Sequence, residues 1–352
     1  MNELLSDESS PRKEGSRALK FDGAGIAITG SGSATPKAVI HNDDLSQLVE
    51  TSDEWIRTRT GIANRHLLPE DSSLSELAAE AAKKAIAAAH LHPEEIDLII
   101  LATSTPDDLF GSAGKVQQLI GAKNATAFDL TAACSGFVFG LVTAAQYLRT
   151  GTFQKIVVIG ADVLSRWVDW GDRTTCVLFG DGAGAVVCQS SPQDQLLGFE
   201  MYSDGSQNEC LNLAYDGHPK YLIHDVSIQK GGYRAITMNG REVYRFAVAK
   251  VPEVIEKTLF RAGLTTEDID WLILHQANQR IIDAVAKRLK LPSEKVIANL
   301  QEYGNTSAAS IPIALDEAVR AGKIKPGQTV ATSGFGAGLS WGSAIFKWGM
   351  PH

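Results

Sequence analysis

Phe128-Asp-Leu-Thr-Ala-Ala-Cys134-Ser-Gly-Phe-Val-Phe-Gly-Leu-Val-Thr-Ala-Ala-Gln-Tyr-Leu-Arg149 is the stretch that decides how this chain is read. Thr126, Phe128 and Leu130 alternate, as the residues on one face of a short strand entering a core do. From Ser135 to Arg149 the residues are Ala, Leu, Val, Phe and Gly with almost no charge, which predicts a helix buried on most of its circumference. Cys134 then stands where a buried strand turns into a buried helix. Unpaired N–H groups and the positive end of the helix dipole favour an anion there, so the thiol is expected to lose its proton more easily. A small cysteine filling space is the alternative reading of the same residue.

Working outward, the second half of the chain repeats the first. Lys83 to Leu101, with Pro-Glu-Glu-Ile-Asp-Leu-Ile-Ile-Leu at its end, matches Glu256 to Leu274, which ends Thr-Glu-Asp-Ile-Asp-Trp-Leu-Ile-Leu. Helix, strand and helix then recur in order, closing on Leu148-Arg-Thr-Gly151 and Val319-Arg-Ala-Gly322. Cys134 and Asn305 each lie fifteen residues before those arginines, so they are expected at equivalent places, each opening a buried helix. Repeats of this length are not solenoid units. They predict two similar α/β halves facing each other, with two helix N-termini converging on one site. The expected divisions are a disordered tail over 1–20, a half carrying the nucleophile over 21–190, an irregular polar connection over 191–235, and a second half over 236–352.

The chain has 352 residues, enough for about two domains' worth of core. Hydrophobic residues make up 44% and charged residues 21%, an ordinary globular balance. No apolar run reaches the roughly 18 residues of a membrane span. The polar stretch from Met1 to Lys20 has no apolar core and is too acidic for a typical transit peptide, which predicts a disordered tail on a cytosolic or stromal protein, with the cytoplasm as the expected location. Cys134, Cys176, Cys188 and Cys210 show no CxxC spacing, hence neither a zinc site nor a disulfide framework. A net charge of −8 without a long basic run argues against nucleic-acid binding.

Other stretches are less telling alone. Gly25 to Gly32 reads as a first strand and a turn, with only half of a dinucleotide fingerprint. Ile96 to Ala102 and Ile156 to Ala161 are apolar strands of the kind buried on both faces. Phe179-Gly-Asp-Gly-Ala-Gly184 leads into a strand and lacks a P-loop ending, so it reads as a tight turn. Trp55, between Asp53-Glu54 and the arginines Arg57 and Arg59, reads more readily as a packed corner than as a ligand platform. His275 follows the strand Leu272–Leu274, at the strand end where open α/β sheets place ligands. Beside Cys134 and Asn305 it would supply a thiol, a proton donor and a second donor around one carbonyl oxygen. The run Ser333-Gly-Phe-Gly-Ala-Gly338 lets the backbone come close and aim an N–H at an oxyanion, or is simply a turn between strands.

Taken together, Thr51-Ser-Asp-Glu-Trp55, Arg59-Thr-Gly-Ile62, Ala132-Ala-Cys134-Ser-Gly136, Phe179–Gly184, His275-Gln-Ala-Asn278 and Gly304-Asn-Thr-Ser-Ala-Ala309 are a specific set. On these motifs, from about Phe21 to Trp348, the chain resembles the β-ketoacyl-[acyl-carrier-protein] synthase III family of the thiolase superfamily. The resemblance implies two pseudo-symmetric α/β halves layered α-β-α-β-α. It implies Cys134 as acyl acceptor, His275 and Asn305 supporting decarboxylation, and the backbone N–H groups of Cys134 and Ala337 as oxyanion hole. It implies Trp55 and Arg173 around the adenine of coenzyme A, Arg59 near its phosphates, Gly240 and Asn278 along the pantetheine, and Phe335 in the substrate site. Ala337 stands where the family often has Gly, and Ser135 where it commonly has Ala.

The implied reaction loads an acyl group from acyl-CoA onto Cys134 and condenses it with malonyl-acyl-carrier protein, releasing carbon dioxide. No metal or redox cofactor is implied. A homodimer is, with Phe110 reaching the neighbour's acyl pocket and limiting it to a short primer such as acetyl. The carrier protein is acidic, so a local basic patch is expected. Arg280 and Lys287, seven residues apart on one helix, share a face, with Arg288 alongside and Arg245 as a further candidate. A papain-like hydrolase also orders Cys, His and Asn this way, but its cysteine signature is missing and the repeat has no place in it. A non-catalytic homologue would not need all three residues. A starter-unit or polyketide-type synthase differs in pocket shape, which these motifs do not report.

Overall fold

The computed structural model describes residues 25–350. The expected tail over 1–20 lies outside them. Ten strands build two five-stranded sheets: β1 (Gly25–Ala34), β2 (Leu98–Ala102), β3 (Thr126–Leu130), β4 (Lys155–Val163), β5 (Asp181–Ser191), β6 (Leu196–Ser203), β7 (Trp271–Leu274), β8 (Val296–Ile297), β9 (Thr329–Gly336) and β10 (Ser340–Lys347). The first sheet runs β1-β5-β4-β2-β3 and the second β6-β10-β9-β7-β8. In each sheet the first two pairings in this order are antiparallel and the last two parallel. One sheet therefore maps onto the other strand for strand. The repeat seen in the sequence is a repeat of topology.

The principal helices are α1 (Asp53–Thr60), α2 (Leu74–Ala88), α3 (Ala113–Ile120), α4 (Gly136–Arg149), α5 (Gly240–Ala262), α6 (Gln279–Arg288) and α7 (Ser310–Arg320). Helices α4 and α7 lie between the sheets and touch both; α2 covers the outer face of the first sheet and α5 that of the second. This is the α-β-α-β-α layering. Helix α4 lacks a charged residue before Arg149, and Phe137, Leu141 and Leu148 are fully buried. Each such side chain contributes about 1.5–3 kcal/mol. Helix α7 meets β5 so closely that a Cβ on Gly184 would stand 2.7 Å from the Ile313 backbone nitrogen. Gly182 and Gly184 thus serve helix–sheet packing inside β5, where a tight turn was expected.

Four readings are corrected. The strand over Gly25–Gly32 does not turn there but continues to Ala34, because it pairs with β5 throughout. Phe128 and Leu130 are only half-buried, since β3 is the edge strand of its sheet. The stretch 191–235 is not irregular: it supplies β6, the counterpart of β1, and a hairpin of Tyr215–Ile223 with Val226–Tyr233. Its polar composition reflects a hairpin exposed on both faces.

The fourth correction concerns the repeat register. Ala133 and Ser307 both adopt left-handed backbone angles, with φ of 46° and 51°. Each opens a 3-10 turn, closed by Ser135 N–H donating to Ala132 O and Ala309 N–H donating to Thr306 O. Matching these turns pairs Cys134 with Ala308, not with Asn305. Counting back from the arginines slips by one turn because α7 has 11 residues and α4 has 14. Cys134 lies two residues before α4, whereas Asn305 lies five before α7.

Candidate active site

The two 3-10 turns meet at the centre of the molecule, bringing Cys134 and Asn305 together from opposite halves. Cys134 is buried, and the turn that carries it is tied to β10: Ser135 Oγ donates to Ser340 O at 2.8 Å, and Ser340 Oγ to Ala132 O at 3.1 Å. Serine after the nucleophile is thus an anchor. Left-handed angles at non-glycine residues cost about 1–3 kcal/mol each and gather at functional sites. Ala133 and Ser307 place two of them around one sulfur.

Asn305 is held through its backbone, its N–H donating to Leu178 O and its carbonyl accepting from Gly180 N–H. Its side-chain Oδ1 accepts the Ser307 N–H at 2.9 Å. That bond orients the amide and leaves Nδ2 as a donor toward the cleft. His275 follows β7, is buried, and has Phe335 edge-on at 5.2 Å. Its Nδ1 lies 2.8 Å from Ser310 Oγ, which accepts the Gln276 N–H. The Ser310 proton is then directed at Nδ1, which assigns the ring hydrogen to Nε2. Burial lowers the His275 pKa to about 3, so the ring is neutral. Asn305 and His275 present two neutral donors.

The thiol departs from the sequence expectation. Burial pushes it up to about 12, against the lowering effect of a hydrogen bond from Ser307 Oγ at 3.3 Å; the carboxylate of Asp162 raises it further. Desolvation outweighs the helix end in the chain by itself.

Two cavities meet at Cys134. The larger, about 770 Å³, is lined by Cys134, His275, Asn305 and Phe335 at its inner end and by Trp55, Arg59, Arg173, Gly240, Asn278 and Arg280 farther out. The smaller, about 580 Å³, holds Cys134, Ala337 and Ser307 with apolar walls that include Leu109, Leu164, Trp167 and Ile236. Trp55 is half-buried against the hydrophobic core and also lines the larger cavity, with the guanidinium of Arg59 4.4 Å from its ring and that of Arg173 5.4 Å away. Asn278 caps α6, accepting from Arg280 N–H and donating to Arg59 O. The glycines of β9 permit close approach, for a Cβ on Gly336 would stand 2.7 Å from the Cys134 nitrogen.

Phe110 lines neither cavity of its own chain and is 99% exposed. Arg245, Arg280, Lys287 and Arg288 are all exposed on α5 and α6. Arg245 pairs with Glu242 and Arg288 with Glu256. Arg280 stacks over Tyr244. Among the described residues no group of His, Cys, Asp or Glu could hold a metal, and no helix is long and apolar enough to cross a membrane. Sequence reasoning missed Ser307, Ser310 and Asp162. The first lies inside the quoted Gly304–Ala309 motif; the last is the only charge breaking the apolar run Ile156–Val163.

The family described as 3-oxoacyl-[acyl-carrier-protein] synthase III matches residues 128–205, and its C-terminal family matches residues 259–348. A β-ketoacyl-[acyl-carrier-protein] synthase III of Microcystis aeruginosa is 69% identical over 328 residues, covering 93% of this chain and 98% of that protein. The crystal structure of 3-oxoacyl-[acyl-carrier-protein] synthase III from Aquifex aeolicus is 45% identical, with a TM-score of 0.84 over 92% of this chain and all of that one. The priming β-ketosynthase of the R1128 polyketide pathway is 32% identical, with a TM-score of 0.84 over 94% and 98% of the two chains.

Proposed function

Because the chain belongs to the β-ketoacyl-[acyl-carrier-protein] synthase III family, we propose specific roles for its residues in that family's reaction. The chain is an acyltransferase, the initiating condensing enzyme of type II fatty acid synthesis, and works without a cofactor. It joins a short acyl-CoA to malonyl-acyl-carrier protein by decarboxylative Claisen condensation, through an acyl-cysteine.

Cys134 is the nucleophile. Its thiolate attacks the thioester carbon, and the tetrahedral oxygen is met by the N–H groups of Cys134 and Ala337. Coenzyme A leaves along the larger cavity, with its adenine at Trp55 and Arg173, its phosphates near Arg59, and its pantetheine passing Gly240, Asn278 and Phe335. The acyl chain occupies the smaller cavity. Malonyl-acyl-carrier protein then enters by the route coenzyme A left, and the carrier is met by Arg280 and Lys287, with Arg245 and Arg288 beside them. Decarboxylation puts negative charge on the thioester oxygen, which His275 Nε2–H and Asn305 Nδ2–H stabilise. The carbanion attacks the acyl-cysteine, and the 3-oxoacyl product leaves on the carrier.

The observation that carries this reading is that Cys134 stands at the junction of two cavities with two neutral donors beside it. We also propose a homodimer in which the exposed Phe110 enters the partner's acyl pocket, and a cytoplasmic site of action where these substrates meet. A priming synthase for polyketides remains the second reading, supported by the likeness to the R1128 enzyme. Weighing the intact protein after incubation with a panel of acyl-CoAs tests both. Acetyl retained in preference to longer acyl groups supports fatty acid initiation; preference for a long or branched group supports the second reading.

A further inference from the structure

The placement of Asn305 is set by a stretch that is neither helix nor regular strand. Its N–H donates to Leu178 O and its carbonyl accepts from Gly180 N–H, while residues 176–180 form a turn with a single bridge at Phe179. A short strand, Asn64–Leu67, runs beside that turn and beside the loop that leads into Asn305. Ala63 N–H donates to Gln301 O at 2.9 Å, and Asn64 Nδ2 to Glu302 Oε2 at 2.8 Å. Between turn and loop lies Arg65, the largest fully buried side chain among the described residues.

Arg65 directs two nitrogens at one carbonyl: Nη2 donates to Val177 O at 2.8 Å and Nε at 3.3 Å. Val177 directly precedes Leu178, whose carbonyl receives the Asn305 N–H. The stem of Arg65 fills the space between the two glycines that flank this pairing. A Cβ on Gly180 would stand 3.5 Å from Arg65 Cβ, and one on Gly304 would stand 3.4 Å from Arg65 Cγ. Gly304 has a φ of 65°, so the chain turns there directly into Asn305. On the far side Nη2 donates to Asn42 Oδ1 at 2.8 Å. Asn42 is itself buried and held through Nδ2, which donates to Asp53 Oδ1 and to Ile62 O. The guanidinium is thus braced against a fixed amide and grips the turn that pairs with Asn305.

Such a residue is a poor way to gain stability. A buried ion is costly to desolvate, and an apolar side chain of similar volume often serves as well or better. Burial lowers the Arg65 pKa to about 10, so the side chain stays charged at neutral pH, and Nη1 has no hydrogen-bond partner among the described residues. What the planar fork supplies is direction. We propose that Arg65 is a positioning residue for Asn305, fixing through Val177 O and the two glycines where the Asn305 amide meets the thioester oxygen. This rests on the reading of Asn305 as a donor in decarboxylation. Arg65 lines neither cavity, so it acts only through the groups it holds. Condensation depends on that hold, whereas loading on Cys134 does not. A displacement of about 1 Å in an active site can cost about 10²-fold in rate.

The test places Arg65→Met, which keeps the stem and removes the fork, in the full-length protein and again on an Asn305→Ala background. Labelled acetyl-CoA reports loading, and labelled carbon dioxide reports condensation. Arg65→Met is expected to lose condensation by about tenfold or more, in kcat rather than in KM for malonyl-carrier protein, while acetyl uptake stays within about twofold. On the Asn305→Ala background the same substitution should change condensation by less than about twofold, because a donor that is gone cannot be misplaced. Arg65→Lys keeps the stem, the charge and one donor. It should show the same selective loss in smaller measure, and it decides the matter if Arg65→Met does not fold. Equal losses of loading and condensation in whichever variant folds would overturn the proposal. So would a loss that persists undiminished on the Asn305→Ala background, or an unchanged condensation rate in the folded variant. Condensation unimpaired in Asn305→Ala itself would instead contradict the underlying reading of Asn305.

Discussion

Asn305 Oδ1 accepts the Ser307 N–H at 2.9 Å, and this one bond decides which end of the Asn305 amide faces the cleft. With the oxygen committed, only the NH2 group can meet a thioester oxygen as it gains charge. A donor of this kind is worth about 3 kcal/mol, or roughly 10²-fold in rate. Asn305→Asp keeps the acceptor for Ser307 and loses the donor. It should lose condensation by about 10²-fold or more, and Asn305→Ala and His275→Ala should do the same, while acetyl transfer to Cys134 suffers far less. Labelled acetyl-CoA follows one half-reaction and labelled carbon dioxide the other. Asn305→Ala stopping acetyl transfer as completely as Cys134→Ala would refute this division.

His275 makes the fold sensitive to acid. Its pKa is lowered from 6.5 to about 3 by burial, so the native state holds the neutral ring while the unfolded chain takes a proton. The contribution is fully present above pH 6.5 and is lost progressively as the pH falls toward 3. Relative to His275→Asn, the wild type should lose stability between pH 7 and pH 5. Denaturant midpoints at the two pH values measure this, and equal shifts in both proteins would refute it.

How much of this was legible in the sequence depends on the kind of interaction. Apolar runs identified β2, β4 and β7, because burial on both faces leaves no room for polar residues. The shared pattern around Lys83–Leu101 and Glu256–Leu274 gave the two-sheet architecture. The register of Cys134 against Asn305 was not legible, since α7 is one turn shorter than α4 and the arginines used as anchors do not correspond. Strand β6 was hidden because its sheet-edge position leaves Met201 exposed and Tyr202 half-exposed. The thiol's raised pKa could not be read either: the helix end is local in sequence, but the desolvation comes from β9 and the turn at Ser307. Asp162 carried a faint signal as a lone acid ending an apolar strand.

The carrier protein should be sensed on α6. Arg280 and Lys287 are exposed and, unlike Arg245 and Arg288, carry no ion pair among the described residues. Exposed pairs are worth about 0–1 kcal/mol, so partnered arginines remain recruitable. Charge reversal at Arg280 and Lys287 should raise KM for malonyl-carrier protein, more strongly at low salt, and spare acetyl-CoA loading in the Lys287 variant. An unchanged KM in both variants would remove the patch from the account.

Primer length should depend on Phe110 acting from the second chain. The residue is 99% exposed in its own chain, beside Leu109, which is also exposed and lines the smaller cavity. Acetyl-CoA should be preferred over octanoyl-CoA, and Phe110→Ala should narrow that preference and weaken the dimer. Equal kcat/KM for the two primers in the wild type would contradict it; light scattering reports the dimer.

The central claim is that Cys134 carries the acyl group, and it is tested most directly by mass. The full-length protein is mixed with acetyl-CoA in the absence of malonyl-carrier protein, weighed intact, digested and mapped. The account predicts one acetyl group per chain, on the peptide containing Cys134, discharged when malonyl-carrier protein is added, and none in Cys134→Ala. Acetyl found on Cys176, Cys188 or Cys210, or retained by Cys134→Ala, would contradict it.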